Sequence, residues 1–274
     1  MLGNPAWRVD ERWVSSRVFG RRRTLRISSH ITADPIDILA HYALGDLPCF
    51  IDEEPSPVAW ISDAHRGVHL LKSVAIPRSQ RRYVFSPGFE LRFDTAFDEV
   101  VRACATRSSG HTWIIPPLLE GYLKLFEMGF AHSFEAWQDG RLVGGCFGVQ
   151  IGGYASIEST FYRVSNAGKV AYGRSLLHLQ ARGFLLVDSN PVADPALNYG
   201  EEWIPRWKFE GLLRHAIEQR VSLVEGGAAP TLPRSVRRAV RMGRLIRRLS
   251  RGYGAVSEHQ VSGRIGGGAG GARS

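Results

Sequence analysis

The chain is poor in the features by which common enzyme classes are recognised. It has three cysteines in 274 residues, Cys49, Cys104 and Cys146, and their number and wide spacing fit neither a disulfide framework nor a metal site. No glycine-rich phosphate loop stands at a strand-to-helix junction. Metal spacings of the His-x-Glu or Cys-x-x-Cys type and the G-x-S-x-G nucleophile elbow are also missing. These absences disfavour nucleotide binding of these types, metalloenzymes and enzymes with such a nucleophile.

Long apolar runs are missing as well. No stretch approaches the length that a membrane-spanning helix needs, and the opening sequence MLGNPAWRVDERW lacks the apolar core of a secretory signal. Hydrophobic residues nevertheless make up 44% of the chain, enough for one large or two modest domains with a real core. The few, scattered cysteines suit a reducing compartment, so we predict a cytoplasmic protein without a membrane span.

The net charge of +9 is concentrated at the two ends of the chain. Residues 1–33 carry +5, residues 234–251 carry +8 with no acid, and residues 34–233 carry −5. Such basic arms, including Arg21 to Arg23, favour phosphate-bearing partners through a salt-sensitive attraction, although they could also be solvated ends. The apolar spacing within 234–251 predicts an amphipathic helix that could lie on RNA, on anionic lipid or on the body of the protein.

Residues 131–161 predict three adjacent antiparallel strands. The dipeptides Asp139-Gly140 and Gly152-Gly153 have the composition of tight hairpin turns. In the third strand Glu158 interrupts a run of apolar and small residues. It is therefore either a site residue or an acid on the wet face of the sheet.

A second acid, Asp188, follows a short, wholly apolar strand at residues 184–187. Strands of that composition are usually buried on both faces. The acid could cap the turn that follows. The chain opens there into a loop that a ligand can approach, so we expect Asp188 to be a stronger site candidate than Glu158.

Helical signals alternate with these strands. Proline at the starts, glycine at the ends and apolar residues at helical spacing predict helices that begin near residues 35, 97, 116, 166 and 205. The order predicts an α+β protein with an acetyltransferase-like (GNAT-like) carboxy-terminal domain, a mixed sheet flanked by helices, and a small amino-terminal α/β domain. The predicted units are a basic extension at 1–33, the small domain at 34–94, the acetyltransferase-like domain at 95–226 and a basic helix with a Gly-rich tail at 227–274. Residues 77–88 are predicted to be a basic loop.

One motif is specific enough to make chance a poor explanation. The sequence AHSFEAW at 131–137 is followed by LVGG at 142–145. Further matching residues are Asp34-Pro35, Leu39, Tyr42, Gly45, Pro48, Thr112-Trp113-Ile114, Tyr122, Gly129, Gly148, Glu158-Ser159, Phe161, Asn166-Ala167, Lys169, Asp188 and Ile204-Pro205-Arg206. With these residues, the stretch from 34 to 215 resembles the leucyl/phenylalanyl-tRNA–protein transferase family.

The resemblance implies an aminoacyltransferase of two domains. Members move an apolar aminoacyl group from the 3′ end of aminoacyl-tRNA to the N-terminal amine of an acceptor protein. The acceptor begins with Arg or Lys, and the product is marked for degradation. The reaction is the aminolysis of an ester, in which positioning supplies much of the acceleration, and no cofactor is needed. We expect a monomer whose two basic segments add contacts to tRNA phosphates.

The resemblance also implies roles for particular residues. Glu158 falls on the substrate-binding glutamate of the family and Asp188 on its central aspartate. Asn190 stands where the family has a glutamine that helps to activate the attacking amine, and its side chain is one methylene shorter. The implied substrate-binding positions are Trp113, Tyr122, Cys146, Ala155, Thr160, Val187 and Tyr199, of which Trp113 suits stacking on the terminal adenine.

Several of these positions depart from the family pattern. Ala155 replaces an aromatic residue, and Cys146 and Thr160 replace methionines, so the pocket for the aminoacyl side chain would be larger and more polar. Tyr199 could refill part of the lost volume. We therefore predict that aminoacyl-tRNA chemistry is kept while the identity of the aminoacyl group stays open.

Three other interpretations compete with this one. The first is a catalytically silent relative that binds RNA or a protein N-terminus. The second is an acyltransferase that uses another donor, such as a coenzyme A thioester. The third places the helix at 234–251 on a membrane surface. For His132 the default expectation is a core histidine with satisfied hydrogen bonds.

Overall fold

The computed structural model describes residues 11–18, 21–28, 31–50, 58–106, 112–189 and 199–244. The strands are β1 Glu11–Val18, β2 Arg21–Ser28, β3 Leu47–Phe50, β4 Val58–Ser62, β5 His65–Leu70, β6 Glu90–Phe93, β7 Ala131–Gln138, β8 Arg141–Ile151, β9 Tyr154–Ser156, β10 Ser159–Tyr162, β11 Leu186–Asp188 and β12 Glu202–Pro205. The helices are α1 Pro35–Leu44, α2 Arg78–Val84, α3 Phe97–Ala105, α4 Pro116–Glu127, α5 Ala167–Ala181 and α6 Arg206–Ala216, followed by α7 at 234–244.

The strands form two sheets. The first sheet has the order β1-β2-β4-β3, and the second has the order β12-β5-β11-β9-β8-β7-β6 with β10 also paired to β8. Only β9 and β11 pair in parallel among the described strands, so the second sheet is mixed. Helices cover both of its faces, because α5 packs with one buried cluster while α1, α3, α4 and α6 pack with the other. The predicted α+β class and mixed sheet flanked by helices are confirmed.

Three of the predicted helix starts show why local signals sufficed. The helix α1 begins at Pro35 behind Asp34, whose carboxylate accepts the Ile36 N–H at 2.9 Å. It ends at Gly45, which has a φ of 78°. The helices α4 and α6 likewise begin at or directly after a proline, Pro116 and Pro205.

Two segments differ from their predictions. Residues 11–18 and 21–28 were expected within an extension, but they form the antiparallel strand pair β1 and β2. Pairing of β2 with β4 gives this strand pair the backbone partners that its polar, weakly periodic sequence does not reveal. Residues 78–84 were expected in a basic loop, but they form α2. The α2 carboxy-terminal carbonyl of Val84 accepts from Arg174 of α5 at 2.7 Å, a contact between residues far apart in sequence.

The predicted three-strand unit is present, but its third strand is broken. The first turn is as predicted, with positive φ angles at Asp139 (50°) and Gly140 (72°). The third strand is split into β9 and β10, and Glu158 lies in the break. Gly148 opposite the break is required, because a Cβ there would lie 1.7 Å from the Ser156 carbonyl oxygen. Glu158 is therefore placed by an irregular backbone, and the strand alternation used to assign its face does not hold.

The helices were also compared with the length and hydropathy that a membrane span needs. Within the ranges that the structure describes, no helix is long and apolar enough to cross a bilayer.

Candidate active site

Two acids meet where β9, β10 and β11 come together. Strands β11 and β9 pair in parallel, and Asp188 of β11 lies opposite Ser156 of β9. Glu158 follows Ser156 by two residues in the chain. The Ile157 N–H in the break donates to the Asp188 carbonyl oxygen at 2.9 Å. The structure therefore brings together the two acids that the sequence singled out, although they lie thirty residues apart in the chain.

Asp188 is fully buried and paired with a cation. The Arg66 side chain of β5 holds it with both Nε, at 3.1 and 3.0 Å from the two carboxylate oxygens, and Nη2, at 2.8 Å. Tyr154 donates its hydroxyl to the same carboxylate at 3.1 Å. Burial opposes the charge on Arg66, but the Asp188 carboxylate raises the pKa of the guanidinium, so the pair is ionic. The sequence analysis gave no role to this arginine.

Glu158 is also buried, with only 9% of its surface exposed, but among the described residues it forms no ion pair. Neither carboxylate oxygen has a hydrogen-bond partner in the described part of the chain. Burial raises the pKa of Glu158 to about 7, and the nearby Asp188 carboxylate adds to the rise. Three groups act in the opposite direction and lower this pKa: the Ser156 hydroxyl, the Tyr42 hydroxyl and the Arg66 guanidinium. The two hydroxyls lie close to the carboxylate, but neither makes a hydrogen bond of ordinary geometry with it. Such a carboxyl can take up an ammonium group or exchange a proton near neutral pH.

Tyrosine hydroxyls surround this carboxyl. Tyr42 of α1 and Tyr122 of α4 share a hydrogen bond of 2.6 Å between their hydroxyl oxygens. Burial raises the pKa of both phenols, and the charge of Glu158 raises it further. The predicted ligand contact Trp113 stands edge-on to Tyr122, with ring centroids 6.4 Å apart. The sequence analysis found Tyr122 and Trp113 as site residues but gave no site role to Tyr42.

Most of the predicted aminoacyl-pocket residues lie on the other face of the sheet. Val187 is the cross-strand neighbour of Ala155, and Thr160 is that of Cys146. Cys146, Ala155 and Val187 belong to the buried cluster under α5 together with Tyr199. Asn190, the third predicted catalytic residue, lies outside the described residues.

Two polar residues in this second cluster were missed. His69 of β5 is fully buried next to Val187 in the sheet, and burial lowers its pKa to about 4. Its Nε2 lies 3.0 Å from the Tyr172 hydroxyl, while its Nδ1 has no partner within the described ranges. Tyr199 stacks on Tyr172 with centroids 5.7 Å apart. The sequence patterns of β5 and α5 gave no signal for the contact between His69 and Tyr172, because each is an isolated polar residue in its own segment.

The conspicuous AHSFEAW motif is structural in this chain. His132 lies 2.7 Å from an Asp94 carboxylate oxygen and 3.1 Å from the Gly129 carbonyl oxygen, so the expectation of a satisfied histidine is confirmed. Glu135 is buried and accepts hydrogen bonds from the Thr95 hydroxyl, the Ala96 N–H, the Ser133 hydroxyl and the Trp137 indole. These contacts tie β7 to the start of α3.

A separate groove of about 480 Å³ opens between α2 and the start of α5. Arg82, Tyr83, Ser86, Phe89 and Asn166 line it. The acids of the site are not part of it. In the described segments no group of three or more His, Cys, Asp or Glu side chains is arranged to hold a metal ion.

Comparison with known proteins identifies the family of the chain. The family model described as leucyl/phenylalanyl-tRNA protein transferase matches residues 68–214. A leucyl/phenylalanyl-tRNA–protein transferase from Aromatoleum aromaticum is 41% identical over 177 residues, which cover 64% of this chain and 74% of the relative. One from Phenylobacterium zucineum is 38% identical over 212 residues, covering 76% of this chain and 96% of the relative. One from Paramagnetospirillum magneticum is 36% identical over 191 residues, covering 69% and 90%. The chain therefore belongs to the leucyl/phenylalanyl-tRNA protein transferase family.

Proposed function

We propose that the protein is an aminoacyltransferase that moves an aminoacyl group from aminoacyl-tRNA to the N-terminal amine of an acceptor protein. Membership of the family and the activity for which its relatives are named support this reaction class. The observation that carries the proposal is the state of Glu158, a buried carboxyl whose oxygens have no hydrogen-bond partner in the described part of the chain and whose pKa is raised to about 7. A buried carboxylate without a partner is costly, and an incoming amine would remove that cost.

The chemistry requires a neutral amine next to an activated ester carbonyl. A bond forms between the amine nitrogen and the carbonyl carbon, the ester bond to the tRNA ribose breaks, and the amine gives up a proton. Glu158 binds the ammonium form and can accept its first proton, since its pKa lies close to neutral pH, and this frees the amine to attack. The second proton, which the nitrogen loses after the attack, passes to the ribose oxygen that leaves, so atoms and charge balance.

The ion pair of Asp188 with Arg66 has a different task. Its carboxylate already accepts from Arg66 and Tyr154, so we assign it to holding the site in place. Next to Glu158 its negative charge keeps the Glu158 pKa high, and the positive charge of Arg66 limits that effect. By the resemblance Asn190 helps to activate the amine, and Trp113 stacks on the terminal adenine.

The finer features belong to the same proposal. The aminoacyl group is apolar and Leu- or Phe-like in the family, and Cys146, Ala155, Thr160, Val187 and Tyr199 would set it here. The acceptor begins with Arg or Lys, and the product is marked for degradation. The carboxy-terminal domain is acetyltransferase-like, with the domain boundaries given above. The enzyme acts as a cytoplasmic monomer, and its arginine-rich segments add contacts to tRNA phosphates.

A transfer assay with a matrix of substrates tests the proposal. Purified protein is incubated with several radiolabelled aminoacyl-tRNAs, leucyl and phenylalanyl among them, and with peptides that differ only in their first residue. We expect transfer with at least one pair and loss of transfer when the peptide amine is acetylated. If well-folded protein transfers nothing yet binds tRNA or peptide, the enzyme proposal is wrong and the silent-binder interpretation holds.

A further inference from the structure

The helix α7 lies beyond the region that the family model matches, and its two faces differ. On the inner face Val236 and Val240 are buried in the same core cluster as α1, and Ala239 packs partly against it. The approach to α1 is close, because a Cβ added to Gly243 would lie 2.8 Å from Cδ1 of Leu44. The helix is therefore docked on the body of the protein by its apolar side.

The outer face is a stripe of arginines. Arg234, Arg237, Arg238 and Arg241 follow each other at i, i+3, i+4 and i+7, so they share one side of the helix, and all four are exposed. Within the described part of the chain no ion pair joins them, and residues 226–251 contain no acid. Like charges at these spacings repel each other, so a bound polyanion would stabilise the helix.

The docking of the inner face decides between the possible partners. A helix that lies on a membrane needs a free apolar face to enter the headgroup region. Over residues 234–244, the part of α7 that the structure describes, that face is packed on the core, and Met242 is the one large hydrophobic side chain left exposed. Arginine binds phosphate oxygens through two parallel N–H donors, and such contacts supply most of the sequence-independent affinity for nucleic acids.

We propose that the arginine stripe of α7 is a docking face for the phosphate backbone of the donor tRNA. That the RNA is a tRNA rests on the proposed function. The body at residues 34–233 has a net charge of −5, so a polyanion needs a basic face to be held against it. The helix α1 links the stripe to the site. Its residue Tyr42 lies beside Glu158, and its last residue, Leu44, packs against Gly243 of α7. The stripe is thereby fixed one helix away from the candidate site.

A charge-matched pair of variants of the full chain tests this face. The stripe variant R237Q/R238Q/R241Q and the control R102Q/R141Q/R220Q each remove three exposed arginines. Binding of uncharged tRNA is measured between 50 and 200 mM KCl. Losing up to three phosphate contacts should lower the slope of log Kd against log salt by about two and weaken binding by about tenfold at the low-salt end. The control should keep the parental slope within about 0.5, and equal slopes for the two variants would overturn the proposal.

Two further measurements, of transfer and of vesicle binding, identify the partner and separate this inference from the proposed activity. Transfer at saturating tRNA should keep its kcat in the stripe variant while KM for tRNA rises. If the parent transfers nothing but its tRNA binding still depends on the stripe, the activity is wrong and the docking face stands. Vesicles containing phosphatidylserine are the alternative anion. Loss of vesicle binding in the stripe variant, with tRNA binding intact, would overturn the assignment to RNA.

Discussion

Glu158 and Asp188 are both carboxyls buried in the second sheet, but among the described residues only Asp188 forms an ion pair. Arg66 donates to Asp188 through two nitrogens, and Tyr154 adds a hydroxyl. In the described part of the chain neither oxygen of Glu158 has a hydrogen bond of ordinary geometry, although the Ser156 and Tyr42 hydroxyls lie close by, and its pKa is raised to about 7. Burial alone therefore does not determine what an acid does, because a partnered carboxylate is a fixed charge, whereas an unpartnered one is ready to bind an amine or a proton.

The comparison predicts that breaking the ion pair is the most damaging single change. In Arg66→Leu the Asp188 carboxylate stays buried without its cation, so the free energy of unfolding should fall by about 3–5 kcal/mol. Urea denaturation measures this. The double variant R66L/D188L removes both charges and should recover a large part of the loss. If the single variant loses less than about 1 kcal/mol, Arg66 is not the counterion of Asp188.

Removing the charge of Glu158 should impair transfer without lowering the stability of the fold. In Glu158→Gln the rate of single-turnover transfer should fall by about a hundredfold or more, because the group that holds the amine and takes its proton is lost. The free energy of unfolding should not decrease, since no hydrogen bond of Glu158 is broken.

The matched control is Glu135, which is buried with four hydrogen-bond donors around it. Glu135→Gln should lower the free energy of unfolding by about 1–3 kcal/mol, because at least one donor is left without an acceptor. If Glu158→Gln destabilises the protein as much as Glu135→Gln does, Glu158 is a structural residue.

Stability should also depend on pH through Glu158. The folded pKa of about 7 lies above the ordinary value of 4.5, so between these values the folded state holds a proton that the unfolded state releases. The resulting stabilisation is fully present below pH 4.5 and is lost as the pH rises through 7. The unfolding free energy of the wild type minus that of Glu158→Gln should therefore fall from pH 4.5 to 7, by at most about 3 kcal/mol. A flat difference would show that the pKa is ordinary.

The smallest expected effect is that of the tyrosine pair. Tyr42→Phe removes the 2.6 Å hydrogen bond to Tyr122 and should lower the free energy of unfolding by about 1 kcal/mol. It should also raise the pKa of Glu158, which the Tyr42 hydroxyl lowers. Tyr162→Phe, at a side chain that is 69% exposed, is the control and should change neither quantity. A pKa of Glu158 that does not move would place Tyr42 outside the site.

Much of the fold was readable from local sequence. Pro35, Pro116 and Pro205 start helices and Gly45 ends one, because these residues have backbone preferences that act within a few residues. The apolar run before Asp188 correctly placed it at the end of a buried strand.

What escaped prediction depends on contacts between distant residues. Arg66 and Asp188 are 122 residues apart, so nothing near either one shows the pair. The break at Glu158 depends on Gly148 of the neighbouring strand, and the α2 helix is held by Arg174. The acids could therefore be named from the sequence, while the difference between them could not.

The pH dependence of transfer tests the central claim about Glu158 most directly. Single-turnover rates with a donor and a peptide that the matrix assay identifies are measured from pH 5.5 to 8.5 for the wild type and for Glu158→Gln. We expect the wild-type rate to rise about tenfold per pH unit below 7 and to level off above it, because the carboxylate form is required. The variant should be slow, and its limb should move to the ordinary pKa of the acceptor amine, about 7.7–8.0. A variant with the wild-type rate and the same pH limb would contradict the account.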